Sequence, residues 1–165
     1  MHTWERDELC RFLDWSEALP DELYPAWLLL AMTGMRRGEA LACRWGDFDF
    51  DASTLSVRRA VTVIRTKGAG EEIVIGPPKS GKPRVIDLDP QTLATMRAHR
   101  ASMGTVSLAL ARDRAYALAD IDGNVRHPER FSGHSSIGSP RPARSSARSW
   151  CRRSDCTTSG TRMRR

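Results

Sequence analysis

This chain of 165 residues has no apolar run of the roughly 18 residues that a membrane helix needs, and no charged-then-apolar leader. The expectation is a cytoplasmic protein with no membrane contact. Four cysteines, Cys10, Cys43, Cys151 and Cys156, show no paired spacing and no clustered histidines, which argues against a disulfide framework and against a zinc site. Asp47, Asp49 and Asp51 alternate like calcium ligands, but the glycine at the sixth loop position and the distal glutamate are missing, so they are expected to turn the chain. Lys67-Gly68 has neither the spacing of a phosphate loop nor a helix after it. No metal and no cofactor is therefore expected. Tyrosine is scarce as well, with only Tyr24 and Tyr116.

A formal net charge of +6 invites a nucleic-acid partner until it is divided along the chain. Residues 1–100 hold 14 Lys+Arg against 15 Asp+Glu, residues 101–133 hold 4 against 4, and residues 134–165 hold 8 against 1. The whole excess lies in the last 32 residues, which contain eight serines, no leucine and no phenylalanine. Such a segment cannot bury enough apolar surface to offset chain entropy, so 133–165 is expected to be a disordered basic tail. The preceding 132 residues are long enough for one domain with its own core.

Within that domain the pattern is mixed. Trp4, Leu9, Phe12, Leu13 and Trp15 form a stripe at helical spacing over 3–19, ended by Pro20. Asp21 is the expected cap of a second, buried helix over 23–32. Residues 54–64, 72–76 and 84–88 are β-branched and loosely alternating, which predicts a three-stranded antiparallel meander. Asp89-Pro90 opens a helix over 91–100, in which His99 reads as a surface or half-buried residue. Residues 115–121 look extended and turn at Asp122-Gly123-Asn124, and His127-Pro128-Glu129 marks a helix entrance. The fold class is α+β and mainly helical.

The most informative stretch is 28–48, LLLAMTGMRRGEALACRWGDF. Gly34 permits a sharp break between helices. Ala40, Leu41 and Cys43 can then face a core while Arg36 sits at a helix start, where its guanidinium joins the positive end of the helix dipole and offers a seat for a phosphate. A solvated surface arginine is the simpler reading of that residue alone.

A second block changes the balance. Thr33-Gly34-Met35-Arg36-Arg37-Gly38-Glu39-Ala40-Leu41, followed by Arg44-Trp45-Gly46-Asp47-Phe48-Asp49, resembles the first arginine box of the tyrosine recombinases, the phage-integrase family, whose usual form is T-G-x-R-x-x-E-x-L-x-L-x-W-x-D-x-D. Pro78-Lys79-Ser80-Gly81-Lys82-Pro83-Arg84-Val85-Ile86-Asp87-Leu88 is similar to the β-turn that carries the family's lysine. The resemblance covers about residues 3–132, the first half of a catalytic domain. It implies that Arg36 grips a non-bridging oxygen of a scissile phosphate in double-stranded DNA, and that Lys79 protonates the leaving 5′ oxygen. A fixed bidentate cation suits charge that builds on phosphoryl oxygens, and a lysine on a turn can deliver a proton. Glu39 is implied as the support of the arginine box, with capping of the helix as its simpler role. Arg37, Lys82 and Arg84 are implied DNA contacts. Arg37 is the rival of Arg36 and Lys82 the rival of Lys79; the spacing of the family pattern selects Arg36, and the distance to Ile86-Asp87-Leu88 selects Lys79. Assembly as a homo-oligomer on DNA is implied for the intact family.

The family also needs a second box, His-x-x-Arg, and then a tyrosine nucleophile. His127-Pro128-Glu129-Arg130 fits the string but lies upstream of the expected place and reads as a decoy. Both tyrosines precede the place of the nucleophile, so none is assigned. The tail supplies a reason. When the codons of 150–165 are read one base out of phase, they can spell Val-Pro-Pro-Ile-Arg-Leu-His-Asp-Leu-Arg-His-Thr-His-Ala-Thr, which contains the family's second box. The expectation is a frameshift beginning near residues 132–134, a truncated and inactive recombinase domain, and out-of-frame text beyond it. Half a domain leaves a face uncovered, which predicts marginal stability. The alternative is a non-enzymatic DNA-binding fragment, whose binding would be salt-sensitive and indifferent to sequence.

Overall fold

A computed structural model describes residues 5–19, 22–66 and 70–136. The first helix, α1 (Arg6–Ala18), starts where the Glu8 carboxylate accepts the Glu5 N–H at 2.9 Å. Apart from Trp4, which lies outside the described residues, its apolar stripe behaves as its spacing predicts: Phe12 and Leu13 pack with Leu28 of α2 (Tyr24–Thr33), and Leu9, Trp15 and Trp27 close the cluster. The expected stop and cap at Pro20 and Asp21 lie outside the described residues. The residue that precedes α2 is Leu23, which has no capping side chain, and Pro25 in the first turn needs no amide partner.

Gly34, with φ +62°, ends α2 in the left-handed conformation, and its N–H reaches the Leu30 carbonyl at 3.0 Å. The short α3 (Arg37–Leu41) follows, and then a 3₁₀ turn over Trp45–Asp47. Leu29, Leu41, Trp45, Leu55, Val57 and Met96 lie at the heart of the main core. Trp45 is fully buried, and its indole N–H donates to the Leu110 carbonyl at 2.9 Å.

The α+β class is as expected, and a three-stranded antiparallel sheet is present, built from β1 (Phe48–Asp49), β2 (Thr54–Val57) and β5 (Arg84–Asp87). The stretch 54–64 does not run as one strand. It breaks at Arg58-Arg59 and resumes as β3 (Ala60–Thr66), which pairs with β4 (Gly70–Gly76) in a separate hairpin. The reason lies in the alternation. Leu55, Val57 and Val61 are buried on one parity, and Arg59 falls on the same parity. A guanidinium cannot sit among those side chains unpaired, so the chain leaves the ladder there and Arg59 binds the buried Asp47 instead. After the inserted hairpin, β5 returns beside β2 with Leu55 opposite Ile86 and Val57 opposite Arg84.

Asp89 caps α4 (Pro90–Val106) by accepting from the N–H groups of Gln91 and Thr92, each at 3.0 Å. The helix runs six residues past its expected end, with Leu93 and Met96 buried. Residues 115–121 make isolated bridges, Arg44 with Tyr116 and Ala119 with Val125, around a turn in which Gly123 has φ +82°. The last helix, α5 (Pro128–Ser136), begins where His127 Nδ1 accepts the Glu129 N–H at 3.2 Å. It buries Phe131 against Trp27, with ring centroids 4.3 Å apart, and it crosses the boundary expected at residue 132. Residues 137–165, with most of the basic tail and Cys151 and Cys156, lie outside the described residues. Among the described residues no helix is long and apolar enough to cross a membrane.

Candidate functional site

The arginine-box stretch folds around one buried carboxylate. Glu39 sits in the third position of α3, and its side chain is only 1 % exposed. Its Oε2 accepts the backbone N–H of Arg36 at 3.0 Å, which holds the helix start in the manner of a capping box. Its Oε1 accepts from Nη1 of Arg36 at 3.2 Å. Arg84 arrives from β5 and donates Nη1 to Oε1 at 3.1 Å and Nη2 to Oε2 at 2.6 Å, a bidentate pair. These bonds, that of Arg84 first, hold the Glu39 carboxyl down to about 2 although burial alone would raise it.

Arg36 itself remains 59 % exposed. Its backbone is extended at the helix start and one edge of the guanidinium rests on Glu39, so the other donors face solvent from a fixed base. That is the arrangement a phosphate needs: a planar cation with its orientation set before the anion arrives. Gly38 makes the geometry possible, because a Cβ at that position would overlap the Val61 carbonyl oxygen of β3. The helix start can approach the hairpin backbone closely only with glycine there. Arg37, the rival in sequence, points elsewhere and donates to Ser132 Oγ on α5.

Lys79 and Lys82 both lie on the exposed turn between β4 and β5. The turn is closed by the Gly81 N–H on the Pro78 carbonyl at 2.7 Å, with Gly81 at φ +69°, and by Ser80 Oγ on the Lys82 carbonyl at 3.1 Å. Among the described residues neither ammonium has an ion-pair or hydrogen-bond partner. A short stretch of chain and one ion pair join the turn to the arginine box: Arg84 lies five residues beyond Lys79 and is itself anchored on Glu39 beside Arg36. The structure thus gathers Arg36, Glu39 and Arg84 at one point and leaves the two lysines on the adjoining turn.

His127 and Glu129 bind the hairpin. Arg65 of β3 joins Glu71 of β4 at 2.7 Å and Glu129 of α5 at 2.6 Å, and His127 Nε2 lies 3.1 Å from Glu71. The string His127-Pro128-Glu129-Arg130 therefore has a structural use at the start of α5. The two tyrosines are also engaged elsewhere. Burial and Glu17 push the Tyr24 hydroxyl up to about 12, and Tyr116 lies under Arg44, whose guanidinium is 5.1 Å from its ring centroid.

Sequence reasoning missed a second acid hub. Asp47 is 5 % exposed, accepts the Arg44 N–H at 2.9 Å, binds the Arg59 guanidinium, and lies 3.9 Å from Nε of Arg58. Its signal was the parity of Arg59, a cation in phase with buried Leu55 and Val57.

No family model matches this chain, and no curated protein matches it. Solved structures do. A XerA recombinase superposes with a TM-score of 0.58 at 17 % identity, over 81 % of this chain and 40 % of its own. The Tn1549 transposon integrase in complex with transposon right end DNA gives 0.51 at 20 % identity, over 62 % of this chain and 32 % of its own. The same integrase in complex with a circular intermediate DNA gives 0.50 at 20 % identity, over 59 % and 30 %. This chain has the fold of part of these recombinase and integrase chains, and it spans less than half their length.

Proposed function

We propose that this chain is the first half of a site-specific DNA recombinase catalytic domain, in which Arg36 engages a backbone phosphate of duplex DNA and Lys79 serves the leaving oxygen. The observation that carries this reading is the Glu39 hub. One buried carboxylate fixes the arginine-box residue and, through Arg84, the strand that leaves the lysine turn. The recombinase fold gives that hub a purpose, because chemistry at a phosphate needs a cation and a proton donor held in one frame.

As encoded, the chain does not complete strand exchange. The Tyr24 hydroxyl is buried and that of Tyr116 accepts from Arg44, the second His-x-x-Arg box lies out of frame in 150–165, and a catalytic set without its nucleophile loses orders of magnitude in rate. Incubation of the full chain with end-labelled duplex, followed by a denaturing gel, is expected to give no covalent protein–DNA adduct. A robust adduct would show that a nucleophile is present and would overturn the inactive reading. DNA affinity that is unchanged by Arg36→Ala would overturn the phosphate-seat reading.

A further inference from the structure

We infer that Arg58 forms a second seat for a backbone phosphate of the same duplex, beside the one at Arg36; the inference rests on the duplex-DNA reading above. The two arginines share an exposure and a kind of partner. Each side chain is 59 % exposed and each lies beside a carboxylate that the fold has buried: Arg36 hydrogen-bonded to Glu39 at 3.2 Å, Arg58 at the looser ion-pair distance of 3.9 Å from Asp47. Asp47 does not need Arg58 for its own neutralisation, since Arg59 and the Arg44 N–H already bind it. Arg58 is then a surplus cation, held near Asp47 by charge and largely exposed.

The two hubs are neighbours. Arg84, anchored on Glu39, stands opposite Val57 in the β2–β5 ladder, and Arg58 is the next residue after Val57. The buried Cys43 thiol feels the charges of both hubs, Asp47 and Arg59 of one and Glu39 and Arg84 of the other. Four arginines on two carboxylates leave a local excess of two positive charges in a region whose overall balance is close to neutral. A DNA strand offers a phosphate about every 3.4 Å along its axis, so a duplex seated at Arg36 brings neighbouring phosphates along with it.

The test is fluorescence anisotropy of the full chain with a labelled duplex over a potassium chloride series. Each phosphate contact contributes close to one unit to the slope of log affinity against log salt, and the basic tail contributes equally to every variant. Arg58→Ala is expected to lower that slope by about one, as is Arg36→Ala, while Arg58→Lys keeps it. An unchanged slope in Arg58→Ala, with the slope lowered in Arg36→Ala, would overturn the second seat and leave the first. Slopes unchanged in both variants, or no binding by the unsubstituted chain at low salt, would overturn both. The thermal midpoint of Arg58→Ala is expected to stay in place because Arg59 still neutralises Asp47. Should that variant unfold, Arg58→Gln against Arg58→Lys at matched stability reads the same slope.

Discussion

Arg84 on β5 places both terminal nitrogens on the Glu39 carboxylate of α3, at 3.1 and 2.6 Å, across 45 residues of chain. Expected from sequence as a DNA contact, Arg84 is 37 % exposed and directs its fork inward. It couples the strand after the lysine turn to the arginine box. In a double-mutant cycle of Glu39→Gln and Arg84→Ala, read by urea unfolding, the pair should show a coupling of about 1–2 kcal/mol. That lies below the range for breaking a fully buried pair because Arg84 can turn to water. Strict additivity would mean that the pair contributes nothing.

The same carboxylate sets an acid limit. Glu39 is held at about 2 against an ordinary 4.5, so the unfolded chain binds its proton first as pH falls. Its contribution is complete above the unfolded value and is lost as pH drops from about 4.5 through about 2. The shift corresponds to about 3 kcal/mol. Thermal midpoints measured between pH 6 and pH 2.5 should fall steeply in the native chain and less steeply in Glu39→Gln. Parallel curves would rule out Glu39 as the group responsible.

Much of this was legible in the residues. The stripe of Phe12 and Leu13, the break at Gly34 and the cap at Asp89 act through local chemistry, so sequence reveals them. The division of 54–64 into two strands was not apparent, because it depends on where the Arg59 cation can be neutralised, and Asp47 becomes a partner only once the fold buries it. The extension of α4 to Val106 escaped for a similar reason: 101–106 carries weak periodicity, and tertiary contact with the Leu108–Ala111 turn continues the helix. In the candidate site, it was the resemblance to the recombinase arginine box that singled out Arg36 and Glu39. The inward role of Arg84 could not be read from a charge on a short strand.

Gly38 and Gly34 separate space from conformation. A Cβ at Gly38 would overlap the Val61 carbonyl, whereas Gly34 has open space around it but a left-handed backbone. Gly38→Ala should cost about 1–3 kcal/mol and displace α3 from β3, which weakens DNA affinity with it. Gly34→Ala should cost about 1 kcal/mol and leave affinity at matched stability unchanged. Equal affinity losses in the two variants would show that the approach of α3 to β3 does not position Arg36.

Cys43 reports on the core between the two acid hubs. Burial, then the Asp47 charge, pushes its thiol up to about 12, and its Sγ donates to the Glu39 carbonyl at 3.3 Å. In the folded chain at pH 8, iodoacetamide followed by peptide mass mapping should leave Cys43 unmodified while the more accessible Cys10 reacts, and urea should expose both. Early alkylation of Cys43 under native conditions would mean that the region between Glu39 and Asp47 opens readily.

The β3–β4 hairpin is held to α5 mainly by charge, since Ile64, Ile73 and Ile75 are exposed and few of its side chains are buried. Arg65 is the central cation, paired with Glu71 on its own hairpin and with Glu129 on α5. Exposed pairs of this kind add little to global stability, so Arg65→Ala should leave the unfolding midpoint nearly unchanged. Its effect should be local. Opening of the clasp frees the strand that runs directly into the Pro78–Gly81 turn, so amide exchange should quicken across 70–76 and at the turn beside Lys79, and remain slow in α2 and α4. High salt should produce the same pattern in the native chain, because screening weakens the same pairs. If exchange in the hairpin is insensitive both to the substitution and to salt, the hairpin is held by its backbone ladder and the burial of Val61, and the order of the lysine turn owes nothing to the clasp.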